Sequence, residues 1–209
     1  MIEIKKRWTR WLAVTLFAGV ALGAIAAFTD NVPLLLGEIG KARADRSVWS
    51  QMAEFVSLLT DAGWAWAATA VGVGWMVSAG IRPRTGLLVG ALAGFVALTA
   101  ATIVFYGINL LVGGDFYWVQ VLFWWARSLL LGLPLGAMGA VIRRPPAGIL
   151  AALVVPVGAV LNIIVLPPPP DSRVASTVVL TVCGGAAAAT LLILVRAVQA
   201  RRLQGTSTG

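Results

Sequence analysis

Six apolar runs, at residues 11–28, 64–79, 86–112, 116–142, 148–166 and 174–195, leave this chain few options other than membrane-spanning helices. A helix rises about 1.5 Å per residue, so roughly 20 apolar residues cross the ~30 Å hydrocarbon core of a bilayer. The sequence is 59% hydrophobic and only 11% charged, more apolar surface than a soluble domain of this size can hide. The expected fold is all-α: a polytopic integral membrane protein of six transmembrane helices, one membrane domain over residues 1–209. The first run follows Lys5, Lys6, Arg7 and Arg10 and resembles a signal peptide. Its length favours an uncleaved first helix.

The charges then set the orientation. Lys5, Lys6, Arg7, Arg10, Arg82, Arg84, Arg143, Arg144, Arg196, Arg201 and Arg202 fall at the two termini and two turns, eleven of the 16 basic residues. Lys41, Arg43, Arg46 and Arg173 fall on the other face, with seven of the eight acids. The positive-inside rule gives six spans with both termini cytoplasmic. Thirteen Arg against three Lys, with the richness in Ala, Gly and Val, suggests a GC-rich bacterial genome, so the expected location is a bacterial plasma membrane. This clustering at the ends of apolar runs explains the net charge of +8 and points to no nucleic-acid partner. There is no histidine, and the one cysteine, Cys183, lies in an apolar run. Acid–base chemistry must therefore use carboxyls, Tyr, Lys or water. No metal site and no cofactor is expected.

Arg127 stands deep inside the fourth run. A guanidinium there is costly and stays charged, so it should face protein or water and find a partner. Polar residues gather around its level. Residues 47–61 read as an extracytoplasmic amphipathic helix, with Val48, Met52, Phe55, Val56 and Leu59 on one side and Ser50, Glu54, Ser57 and Asp61 on the other. The third run carries Thr99, Thr102, Tyr106 and Asn109 at helical spacing. Gln120, Phe123, Trp124 and Arg127 share a face of the fourth, and Asn162 lies near the end of the fifth. With Trp64 these residues form a candidate pocket: a fixed cation, one or two carboxyls and a wall of aromatic rings. Such a lining suits a largely apolar ligand with one polar end, and ring faces stabilise cations. Gly19–Gly23 and Gly86–Gly90–Gly94 repeat at four-residue spacing, which lets helices approach closely.

At Asp61-Ala-Gly-Trp64, Gly90 to Gly94, Tyr106, Trp124-Trp125 and Gly132-Leu-Pro-Leu-Gly136, the chain resembles a family of uncharacterised six-span actinobacterial proteins. That resemblance covers roughly residues 11–144 and implies a membrane location without a known activity. In size, helix count and placement of acids, the chain is also similar to small bacterial membrane-bound terpene cyclases. This second resemblance implies an intramembrane enzyme that protonates an alkene or epoxide of an isoprenoid. On that reading Glu54 and Asp61 are the candidate catalytic acids. Asp61 is expected to pair with Arg127, leaving Glu54 as the donor. Arg127, Tyr106, Asn109, Gln120, Trp64, Trp124, Phe123 and Asn162 are the candidate substrate-binding residues. The expected partners are the lipid bilayer and an apolar or isoprenoid substrate. The rival class is non-enzymatic: a small-molecule transporter subunit, or an accessory protein binding another membrane protein.

Overall fold

The computed structural model describes residues 2–113, 117–144 and 146–205, with side chains for 8–113, 117–144 and 146–199. Gly114, Asp115, Phe116 and Pro145 lie outside the described residues, as do the side chains of Glu3, Lys5, Lys6, Arg7, Arg201 and Arg202. The described residues form seven α-helices and no strand: α1 Ile2–Leu35, α2 Val48–Thr60, α3 Gly63–Val77, α4 Pro83–Leu111, α5 Trp118–Val141, α6 Ala147–Val165 and α7 Ala175–Gly205. Five are long and apolar enough to cross a membrane: Trp8–Leu35 within α1, Pro83–Leu111, Trp118–Val141, Ala147–Val165 and Ala175–Gln199. That is the pattern of a multi-pass membrane protein.

The expected sixth span, 64–79, is where the structure differs. It folds as α3, only 15 residues, or about 22 Å, short of the ~30 Å hydrocarbon thickness. Local chemistry cuts it at both ends. Asp61 closes α2 immediately before it, the Ser78 hydroxyl turns back to the Trp75 carbonyl (3.2 Å), and Gly80 takes a left-handed φ of 66°. The helix that follows begins with Pro83 in its first turn. The first helix errs the other way. It continues past residue 28 through Asp30, Asn31 and Pro33, because Asn31 finds acceptors inside the protein: the Ala27 carbonyl at 2.7 Å and Asn109 Oδ1 at 2.5 Å.

Close backbone approach builds the centre. A Cβ added at Gly136 would lie 2.2 Å from the Gly90 carbonyl oxygen, and one at Gly94 would lie 2.3 Å from that of Gly132. So α4 and α5 touch backbone to backbone. Gly74 brings α3 onto the same surface, its added Cβ 2.1 Å from the Gly136 oxygen. On the other flank of α4, Gly19 and Gly23 press α1 against Ala97 and Ala101. These contacts are van der Waals packing of small residues, the usual adhesive where lipid removes any hydrophobic drive between helices. The hairpin of α6 and α7 attaches differently. Its Ala159, Val178 and Val182 are buried beneath Phe55 and Leu59 of α2 and Trp64 of α3. A seam remains between the α3–α4–α5 packing and this hairpin, and the candidate site lies in it.

The helix α2 is capped as its sequence implies, with the Ser47 side chain accepting from the Ser50 backbone N–H. Its first turns are reversed relative to a water-soluble helix, while Phe55 and Leu59 further along pack inward. Ser50 and Glu54 of the polar stripe are buried, whereas Val48, Trp49 and Met52 are exposed. An apolar face turned outward is stable where the surroundings are acyl chains.

Candidate functional site

Arg127 projects from α5 back toward the start of that helix, as long helical side chains do. Its neighbours three and four residues earlier are aromatic, and the guanidinium lies 4.0 Å from the Phe123 ring centre and 5.1 Å from that of Trp124. Trp124 in turn stacks on Trp66 of α3, with ring centres 6.3 Å apart. Arg127 forms no ion pair or hydrogen bond among the described residues. The expected Asp61–Arg127 pair is therefore not formed. The aromatic rings at helical spacing hold the cation on its own helix.

Arg127 and Asp61 nevertheless line one cavity, of ≈ 400 Å³ and open on one side. Asp61 and Leu58 stand at its α2 edge, Trp66 and Ala67 come from α3, and Trp124, Ser128 and Leu131 share the α5 wall with Arg127. Asn162 and Ile163 of α6, the prolines after that helix and Val178 of α7 close the far side. Ser128 is buried and fixed to Thr102 of α4, the two hydroxyls 3.1 Å apart. Most of the wall is therefore apolar, with a carboxyl and a guanidinium as its charged groups.

Asp61 sits in the turn between α2 and α3. Its Oδ2 accepts from the Ser57 hydroxyl at 3.1 Å. Loss of hydration raises its pKa from 3.8 to about 7, and the charge of Asp30 adds to the rise, while the Ser57 hydrogen bond opposes it. The carboxyl thus exchanges its proton near neutral pH at the edge of a largely apolar cavity. Glu54 has the opposite character. It is buried, and Arg43 Nη1 donates to its Oε1 at 2.9 Å. Arg43 also lies 3.9 Å from Asp171, after the prolines. The expected assignment of Glu54 as the unpaired acid and Asp61 as the paired one is reversed, because the loop before α2 folds over Glu54 and delivers Arg43.

That loop is itself pinned by Glu38. Its carboxylate accepts from the Ser50 hydroxyl (2.5 Å), the Ser47 N–H and hydroxyl (3.1 Å each) and Lys41 (3.3 Å). The Ser50 bond is the largest cause of its pKa falling from 4.5 to about 2.

The remaining candidates divide. Trp124 and Asn162 line the cavity, and Phe123 supports Arg127 from outside it. Tyr106 is buried against Phe105. Asn109 is turned to α1 by its bond with Asn31. Trp64 faces the α6–α7 hairpin. Gln120 is exposed. Of residues outside the sequence-based candidates, Trp66 lines the cavity, while Asn31 turns Asn109 away from it and Arg43 holds Glu54. For Trp66 a signal existed: it follows the α2–α3 break and lies two residues after Trp64, on another face of a short helix.

The fold and the site together define an all-helical, membrane-type protein with a largely apolar cavity that carries one carboxyl and one guanidinium. No protein-family model, curated protein sequence or solved structure matches the chain.

Proposed function

We propose that this chain is a six-span plasma-membrane protein, with α3 as a short span and both termini cytoplasmic, that cyclises an isoprenoid-like substrate in the Asp61–Arg127 cavity. The observation that carries this reading is a carboxyl of raised pKa set at the edge of a largely apolar, aromatic-lined cavity. With its pKa raised to about 7, Asp61 keeps a share of its protons at neutral pH, pairs with no cation among the described residues, and borders the aromatic and aliphatic lining that a carbocation needs.

A carboxyl of this acidity suits an epoxide better than an unstrained alkene. The Asp61 O–H proton moves to the epoxide oxygen as the C–O bond breaks. The cation is then captured by a neighbouring double bond, and a final C–H proton returns to the Asp61 carboxylate. The product is an isomer of the substrate. The stacked rings of Trp66 and Trp124 in the lining would supply faces that stabilise the charge, and the Ser57 hydrogen bond would orient the acid. Arg127 would grip a polar end group and repel the cation from that end.

The test is a comparison of lipid extracts from cells with and without the protein, supplied with prenylated epoxide precursors. A product of unchanged mass and altered retention, absent with Asp61→Asn, is the expected result. Unaltered precursors in every strain would rule out cyclisation.

A second reading has its own support in the uncompensated guanidinium of Arg127, which would hold an anionic group in a binding or transport subunit. Arg127→Leu leaves no counter-ion orphaned, so it should keep abundance. On this second reading, binding of an anionic amphipath is lost with Arg127→Leu but survives Asp61→Asn.

A further inference from the structure

At the opposite end of α3 from Asp61, about 22 Å away along that helix, α1, the end of α3 and the end of α5 border a second, open cleft of ≈ 370 Å³. Its walls are Arg10, Trp11 and Val14 of α1, Met76 and Val77 of α3, and Arg143 just past α5. The geometry points to a binding site for one anionic phospholipid, its phosphate between Arg10 and Arg143 and its chains descending over Trp11, Val14 and Met76.

Three observations support it. Arg143 is preorganised: its Nε donates to the Trp75 carbonyl at 2.9 Å and its guanidinium rests 4.6 Å from the Trp75 ring centre. Both Nη groups are left without a partner among the described residues. Arg10 is exposed and likewise makes no ion pair there. No described acidic side chain lies at this end of the molecule. Arg82, Arg84 and Arg144 add to its positive field, Arg144 Nη2 donating to the Pro83 carbonyl. Finally, the cleft lies at the boundary of the apolar spans, where Trp8 and Trp11 meet edge to face at 5.4 Å. Tryptophans mark the headgroup level, which is where a lipid phosphate sits. Two arginines facing a phosphate over an apolar floor recognise both halves of a lipid, whereas a free anion uses only the first.

Native mass spectrometry of the full chain in detergent tests this directly. Phosphatidylglycerol should be retained in preference to phosphatidylcholine. Arg10→Gln and Arg143→Gln should each weaken retention about fivefold, and the double variant about 25-fold, at roughly 1 kcal/mol per arginine. Arg143→Gln also removes a contact to Trp75, so Arg10→Gln, which removes no described contact, is the deciding variant. Undiminished retention in Arg10→Gln overturns the site. So does equal retention of the two lipids, or complete displacement of phosphatidylglycerol by millimolar inorganic phosphate, which would mark a simple anion site. None of these three outcomes bears on the Asp61 cavity.

Discussion

Asp61→Asn separates the chemistry of the cavity from its construction. In the folded protein the carboxyl has its pKa at about 7 instead of 3.8. A fully enclosed group shifted by about 3 units would carry ~4 kcal/mol, at 1.36 kcal/mol per unit. Asp61 opens onto the cavity, and water there screens it, so about 1–2 kcal/mol is the realistic figure. The sign follows from linkage. The folded state binds this proton more tightly than the unfolded chain, so stability is fully present below pH 3.8 and is lost as pH rises through about 7. Asparagine is neutral throughout and keeps an oxygen for the Ser57 hydroxyl. The variant should therefore match the wild type at pH 3 and exceed it at pH 8 by about 1–2 kcal/mol, or about 3–6 °C in Tm. Thermal unfolding of the purified protein in detergent at both pH values reads this out, beside product formation on the proposed substrate class. Higher stability at pH 8 together with lost turnover is the expected signature of an acid kept protonated for use. A variant that is less stable at both pH values would show that Asp61 is a structural partner after all. Full turnover in a well-folded variant would remove it as proton donor.

Glu54→Gln should behave in the opposite way. It leaves Arg43 without its closest carboxylate, costing about 1–2 kcal/mol, between the values for exposed and buried pairs, and turnover per folded molecule should stay near wild type; a stable but inactive protein would restore Glu54 as the donor. Gly136→Leu should abolish folding, since even its Cβ would meet the Gly90 carbonyl oxygen at 2.2 Å and parting the helices costs more than about 3 kcal/mol; normal abundance on fluorescence-detected size exclusion would contradict the α4–α5 packing. Reporter fusions after Arg84 and Arg144 should report cytoplasm, and one near Glu38 the outside. A cytoplasmic signal at Glu38 would overturn the proposed topology.

Much of this molecule could be read along the chain. The apolar runs announce the helices, and the four-residue glycine repeats at Gly19–Gly23 and Gly90–Gly94 mark the surfaces that touch. Both are periodic signals, set by the 3.6-residue turn of the helix and needing no knowledge of neighbours. Arg127 was likewise conspicuous, and even its true environment was local, since Phe123 and Trp124 lie one turn earlier on the same helix.

Pairings between distant residues were not legible in this way. Whether Asp61 or Glu54 is the neutralised acid depends on where a loop eleven residues upstream of Glu54 places Arg43, and on how closely Asp30 approaches from another helix. Which face of α2 is buried depends on what surrounds it. A polar stripe predicts amphipathicity but does not say that protein will cover the stripe and leave Val48, Trp49 and Met52 outside. Helix length was equally contextual. Asn109, 78 residues further along the chain, supplies the acceptor that lets α1 run on through Asn31. Hydropathy along one run reports what a segment can bury, while its ends and its charge partners are fixed by groups brought from elsewhere. Those contacts exist only once the helices have packed.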